Sequence, residues 1–166
     1  MSTKIKIGIS ACLLGNNVRY DGGNKLDQHL IDTFGPIVEW VPICPEAESG
    51  MSVPREPMQL VSDKEKVRLI TIETKKDMTD MLLRWTKEKL KHLDQEGVHG
   101  FIFKARSPSC GVHDTELFSL SGQSIGIGAG LLAEAVRNHF PPLPIEDEEC
   151  LRDPVISERF HARILA

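Results

Sequence analysis

The 166-residue sequence is poor in aromatics, with six Phe, two Trp and one Tyr, so its core must rest on Ile, Leu and Val. No stretch approaches the ~20 apolar residues of a membrane helix. The opening Met1–Gly8 has no long apolar run of the kind that marks a secretory signal, so a cytoplasmic location and no membrane partner are expected. Charge of one sign is also lacking, because 20 basic residues face 24 acidic ones for a net charge of -4. That balance excludes the broad basic surface that gains affinity by neutralising phosphates, and no strong nucleic-acid binding is expected. A small anionic or nucleobase-like ligand in one pocket remains compatible. No two of the four cysteines form a C-x-x-C pair, which argues against a zinc finger or ribbon. The six histidines show no H-E-x-x-H or H-x-x-x-H pair; only His113, three past Cys110, stands near other candidate chemistry.

What is present is the length and composition of one globular domain, 40% hydrophobic and 27% charged. A chain of this size buries roughly 70% of its surface on folding, so stability alone requires no metal, and a metal site would be functional. Lys4 to Ser10 reads as a strand with Ile5, Ile7 and Ile9 on one face. Asn24 to Phe34 suits a short helix, and Ile37 to Ile43 a second strand. Residues 45–68 look like a long connection, and Arg68 to Glu73 like a peripheral strand. The 3–4 spacing of Met78, Met81, Leu82, Trp85, Leu90 and Leu93 predicts a helix over 77–95. Val98 to Lys104 reads as a buried strand, Gly128 to Phe140 as a helix, Pro144 to Glu146 as the start of a last strand, and Pro154 to Leu165 as a C-terminal helix. Alternating strands and helices predict an α/β fold: a single Rossmann-like domain over 1–166 whose sheet is mostly parallel and flanked by helices.

Three cysteines share one kind of position. Cys12 follows the first expected strand by two residues, Cys44 directly follows the second, and Cys110 follows the strand at 98–104. Ligands of an open parallel sheet bind beyond the carboxyl ends of its strands, so thiols 32 and 66 positions apart are expected to converge there. Each taken singly would pass as a buried small hydrophobe, but all three sit among Gly, Pro and Ser rather than in apolar runs. Cys150, in the acidic stretch Glu146-Asp147-Glu148-Glu149, follows no strand end and reads as an ordinary thiol. Three converging thiolates leave a fourth position open on a tetrahedral zinc, or one iron free on a [4Fe–4S] cluster; spacing does not separate the two. The run Gly126-Ile127-Gly128-Ala129-Gly130 lacks both the G-x-G-x-x-G spacing and the Lys-Ser/Thr of a phosphate loop, and is expected to permit close helix packing.

The segments Ser10-Ala11-Cys12-Leu13-Leu14-Gly15 with Val18-Arg19-Tyr20-Asp21-Gly22, Cys44-Pro45-Glu46 with Gly50-Met51 and Pro54-Arg55, and Ser107-Pro108-Ser109-Cys110-Gly111 resemble the DUF523 family. Phe140-Pro141-Pro142-Leu143-Pro144-Ile145-Glu146 and Asp153-Pro154 fit the same pattern. Characterised members of that family are thiouracil desulfidases. The resemblance implies an α/β domain with a [4Fe–4S] cluster held by Cys12, Cys44 and Cys110, the fourth iron being open. It also implies non-redox removal of sulfur from a thiolated pyrimidine, base or nucleoside, giving the oxo form and sulfide. Where that pattern has a small residue this chain has Cys150, which keeps it out of the cluster.

Given a cluster, the open iron is expected to act as a Lewis acid toward thiocarbonyl sulfur while water attacks the carbon, which requires a group to take and return a proton. Glu46, two positions past Cys44, is the expected proton carrier. Ser107 and Ser109 flank Pro108 before Cys110 and are expected to orient substrate or relay a proton. Arg19, Arg55 and Lys104 lie in or beside the same motifs and are expected to offset an anionic site and hold substrate oxygens. The competing readings are a zinc- or thiol-dependent hydrolase and a non-enzymatic module that binds a cluster or nucleotide.

Overall fold

Isoleucine at positions 5, 7 and 9 favours extended backbone, and Ile5–Ser10 forms β1 at the centre of a sheet. A computed structural model describes residues 4–63 and 65–166. Met1–Thr3, at the head of the segment read above for a leader, and Lys64 lie outside the described residues. The elements run β1, a 3-10 turn (Ala11–Leu14), α1 (Gln28–Phe34), β2 (Val38–Ile43), α2 (Pro45–Glu48), β3 (Met58–Asp63), β4 (Lys66–Thr71), α3 (Thr79–Glu96) and β5 (Gly100–Phe103). They continue with β6 (Thr115–Phe118), β7 (Ser124–Gly128), α4 (Leu131–His139), β8 (Ile145–Asp147), a second 3-10 turn (Cys150–Arg152) and α5 (Pro154–Leu165). Helix ends carry local signals. Asp153 caps α5 by accepting from the N–H groups of Val155 and Ile156, with Pro154 in the first turn, and Gly97 closes α3 in the left-handed region at φ 70°.

The first sheet has the order β2-β1-β5-β8, and all its pairings are parallel. Every residue of β5 is buried, as expected of a parallel strand covered on both faces. Ile7, Ile9 and Ile102 pack on one side with Leu30 and Phe34 of α1 and Phe160 and Ile164 of α5. Phe101 and Phe103 pack on the other with Leu93 of α3 and Leu132, Ala133 and Val136 of α4. Gly8 is required between them, since a Cβ there would stand 2.6 Å from the Phe101 ring. The α/β fold with a mainly parallel sheet and flanking helices is thus as the sequence predicts, and the C-terminal helix has the expected bounds. No helix among the described residues is long and apolar enough to cross a membrane.

A second sheet, of order β4-β3-β6-β7, adds to that expectation. It is mixed, with β3 antiparallel to β4 and parallel to β6, and β6 antiparallel to β7. Leu60 and Leu69 bury against Leu82 of α3, with Met58, Met78 and Leu117 around them. The 45–68 segment, read as a connection, therefore contains α2 and β3, and the strand expected at 68–73 is β4. Strand β7 had no readable signal because Ile125 and Ile127 are exposed on an edge strand, so its alternation points toward no core.

Candidate functional site

The three strands that carry cysteines are neighbours, β2-β1-β5, and all run in the same direction. Their carboxyl ends therefore open on one rim. Cys44 follows β2 directly and precedes α2, Cys12 lies in the 3-10 turn after β1, and Cys110 lies in the loop after β5. A cavity of about 480 Å³ opens there. Cys12, Cys44, Cys110, Glu46, Ser107, Ser109, Arg19, Arg55 and Lys104 all line it. Cys150 does not.

The Ser107–Gly111 loop is held by the start of α4. The N–H of Leu131 donates to the carbonyl of Pro108 and that of Leu132 to the carbonyl of Ser109, at 3.2 and 2.9 Å, while Gly130 N–H donates to Gly111 at 2.7 Å. The helix N-terminus is thereby spent on the cysteine loop and not on a phosphate, as the spacing of the glycine run predicts. A Cβ on Gly130 would stand 2.5 Å from the carbonyl carbon of Ser109 and 2.8 Å from the Cys110 nitrogen. Gly130→Ala is accordingly expected to destabilise the chain by about 1–3 kcal/mol through overpacking, read as a lower melting temperature. Arg106 enters this loop with φ at 64°, a backbone state that costs a non-glycine residue energy; its N–H donates to Asp114 Oδ1 at 3.1 Å.

Glu46 is the hub of the polar side. Its Oε1 accepts from Arg55 Nε at 2.9 Å, and its Oε2 accepts from Ser109 Oγ at 2.8 Å. A carboxylate only accepts, so the Ser109 hydroxyl must donate to it. Ser109 Oγ then accepts from Ser107 Oγ, 3.2 Å away, which orders a chain from Ser107 through Ser109 to Glu46. Ser107 Oγ also accepts from the N–H of Cys110 at 3.0 Å, tying the chain to the thiol-bearing loop. The Glu46 and Arg55 side chains are 12% and 9% exposed.

The three cations are engaged differently. Arg55 donates through Nη2 to the Val18 carbonyl at 2.9 Å and through Nη1 to Ser52 at 3.2 Å, so its guanidinium clamps two loops while holding Glu46. Lys104 Nζ donates to Glu148 Oε1 at 3.0 Å, and Glu148 also accepts from the N–H of Ala105. Arg19 Nε is buried without a hydrogen-bond partner among the described residues, its nearest carboxylate being Asp21 at 3.8 Å. An unsatisfied buried donor is costly, and Arg19 is one of the residues that line the cavity.

Burial pushes the Cys12 thiol up to about 11, partly offset by the charges of Arg19 and Lys104. Burial likewise raises Cys44, against N–H groups of α2 and the Arg55 charge. Cys110 is raised further by burial, with the Ser10 hydroxyl opposing. Holding a metal would require each of these thiols to lose its proton; a nucleophilic cysteine requires a lowered thiol pKa, the opposite of the shift burial imposes here. Away from the cavity, burial and then the Asp147 carboxylate push the Cys150 thiol up to about 12.

Their separation bears on what they can hold. Among the described residues, the only trio of His, Cys, Asp or Glu whose donor atoms all lie within 4.8 Å of one another is His113, Glu146 and Cys150. At least one pair of the Cys12, Cys44 and Cys110 sulfurs therefore lies more than 4.8 Å apart, against roughly 3.8 Å between the sulfur ligands of a tetrahedral zinc with bonds of about 2.3 Å. Three soft sulfur donors with no histidine among them suit an iron–sulfur group. The Arg19 and Lys104 charges act favourably on an anionic Cys12, with Glu148, the ion-pair partner of Lys104, opposing them.

Some partners were not evident from the sequence. Ser10 accepts from the N–H of Lys104 at 2.8 Å and faces Cys110, although its place at the end of β1 is a usable signal. Glu148 was visible only as part of an acidic run, and its role depends on β8 lying beside β5. Tyr20 lines the cavity with the Arg19 guanidinium 5.5 Å from its ring centre.

Comparison with known proteins gives consistent matches. Residues 7–148 match the 2-thiouracil desulfurase family. YbbK, an uncharacterized protein of Bacillus subtilis (strain 168), is 28% identical over 138 residues, spanning 76% of this chain and 89% of YbbK. Among solved structures, a [4Fe-4S]-dependent thiouracil desulfidase, TudS, superposes with a TM-score of 0.74 at 28% identity, covering 96% of this chain and 99% of that one.

Proposed function

The chain belongs to the 2-thiouracil desulfurase family, and from that premise we propose that it is a [4Fe–4S]-dependent desulfidase converting a thiolated pyrimidine, base or nucleoside, to its oxo form with release of sulfide. The observation that carries this reading is the single cavity lined by three cysteines from adjacent strand ends together with Glu46, Ser107 and Ser109. Its volume of about 480 Å³ suits a small molecule, in keeping with the absence of a dominant basic charge. The reading takes residues 1–166 as one catalytic domain. It requires a reducing cytoplasm, since oxidation of the thiols would remove the ligands.

Cys12, Cys44 and Cys110 would hold the cluster. That group would supply a Lewis acid at the iron lacking a protein thiolate, matched to a soft thiocarbonyl sulfur. The chain's own residues do the rest. Glu46, fixed by Arg55 and Ser109, takes a proton from the water that attacks the ring carbon. The Ser107–Ser109 pair returns a proton toward the ring or the departing sulfur, because each hydroxyl both donates and accepts. Atoms balance as thiocarbonyl plus water giving carbonyl plus hydrogen sulfide, with no electrons gained or lost. The Arg19 guanidinium, which lines the cavity, adds positive charge toward Cys12 and the substrate. Lys104 adds positive charge beside Cys12, while Arg55 acts on the substrate side through the carboxylate it orients.

A thiol-dependent hydrolase fits less well because burial raises all three thiols, and a zinc-dependent one because at least one pair of the three sulfurs lies more than 4.8 Å apart. Turnover of 2-thiouracil and 4-thiouridine in oxygen-18 water under argon tests the proposal against a non-enzymatic binding module. The expected result is sulfide released in step with oxo product carrying the label. No sulfide from either compound with the cluster loaded would overturn it.

A further inference from the structure

Outside the cavity, three metal-binding side chains from separate segments meet without a role in the chemistry above. His113 lies beyond the Cys110 loop, Glu146 in β8, and Cys150 at the start of the second 3-10 turn. Their donor atoms all lie within 4.8 Å of one another. His113 Nε2 is 3.6 Å from Glu146 Oε2, too far for a hydrogen bond, so the two face each other without bonding. Beneath them Asp147, 1% exposed, accepts the Cys150 N–H on Oδ1 at 2.8 Å and fixes the turn that carries the thiol. Arg106, the neighbouring cation, spends its guanidinium on Glu149 at 2.6 Å. The trio is thus a soft sulfur, on a turn held by Asp147, an imidazole nitrogen and a carboxylate oxygen.

We propose that His113, Glu146 and Cys150 form a second metal site, distinct from the cavity, that takes one divalent zinc-class cation. Nitrogen, sulfur and oxygen together are the donor set of zinc, and three protein ligands leave a fourth position for water on the exposed histidine side. Binding exchanges the Cys150 thiol proton for a metal–sulfur bond, and that proton leaves to solvent. Nothing is oxidised or reduced. Occupation ties the segment after Cys110 to β8 and to the turn that follows it.

The test is equilibrium dialysis of the iron-loaded protein against zinc under argon, with zinc and iron per chain measured on the same sample. The expected result is one zinc per chain with iron unchanged. Cys150→Ser and His113→Ala should each weaken zinc binding at least ~10-fold without changing iron or sulfide release, and half-exposed His113 allows that substitution without loss of fold. No zinc bound, or the same zinc bound by both variants, would overturn the proposal. Zinc bound only as iron is lost would locate it at the cavity cysteines and overturn it equally. Iron and sulfide release read the desulfidase assignment separately, so either proposal can fail alone.

Discussion

Cys110→Ser is expected to yield a folded protein without iron and without sulfide release. Cys12→Ser and Cys44→Ser should do the same. Each of these thiols comes from a different strand end of one sheet, so no neighbouring sulfur can substitute for the one removed. Serine keeps the volume but replaces a soft donor with a hard one that does not hold iron–sulfur clusters in their usual form. Iron should fall from about four per chain to near zero in each variant. Cys150→Ser is the control, because Cys150 does not line the cavity, and it should retain the iron. Equal iron loss in that variant would remove the distinction between the two groups of cysteines. Circular dichroism on the same samples separates loss of cluster from loss of fold.

Glu46→Gln is expected to keep the iron and lower kcat by about 10²–10⁴-fold, the usual contribution of a positioned proton carrier. Glutamine retains the side chain's shape and can still accept one hydrogen bond, from Arg55 or Ser109, but it leaves the buried Arg55 guanidinium without its counter-charge. Circular dichroism on the same variant is therefore needed to separate loss of fold from loss of proton transfer. An effect on kcat with little change in KM marks proton transfer; a rise in KM alone would make Glu46 a binding group. The companion variant Ser109→Ala breaks the ordered chain between Ser107 and Glu46 and should show a smaller kcat loss of the same kind. Unchanged kcat in Glu46→Gln would take the carboxylate out of the mechanism.

The first sheet and the cavity were legible in the sequence because their signals are local. Ile5, Ile7 and Ile9 declare β1 by alternation, Pro154 after Asp153 declares the start of α5, and cysteines placed just after strands declare a rim once a parallel sheet is assumed. The second sheet was not legible. Leu60 and Leu69 bury only because α3 brings Leu82 over them, and Ile125 and Ile127 are exposed on an edge, so neither local pattern nor apolar content marks those strands. Within the site, the residue types were predictable but their engagement was not. Arg55 reads from sequence as one cation among three, and only the approach of the Val18 and Ser52 carbonyls shows that its donors hold Glu46 and two loops. Arg19 reads identically, yet its Nε is left unspent. Those differences arise from long-range packing. Glu146 and Cys150 likewise appeared only as part of an acidic stretch until β8 and the turn after it brought them beside His113.

Anomalous diffraction at the iron edge from crystals of anaerobically prepared protein tests the central claim most directly. The account predicts one compact group of iron atoms in the cavity, bonded to the sulfurs of Cys12, Cys44 and Cys110, with one iron bearing no protein ligand. A single metal ion bound by those three residues, or iron bound at Cys150 with the cavity thiols free, would contradict it.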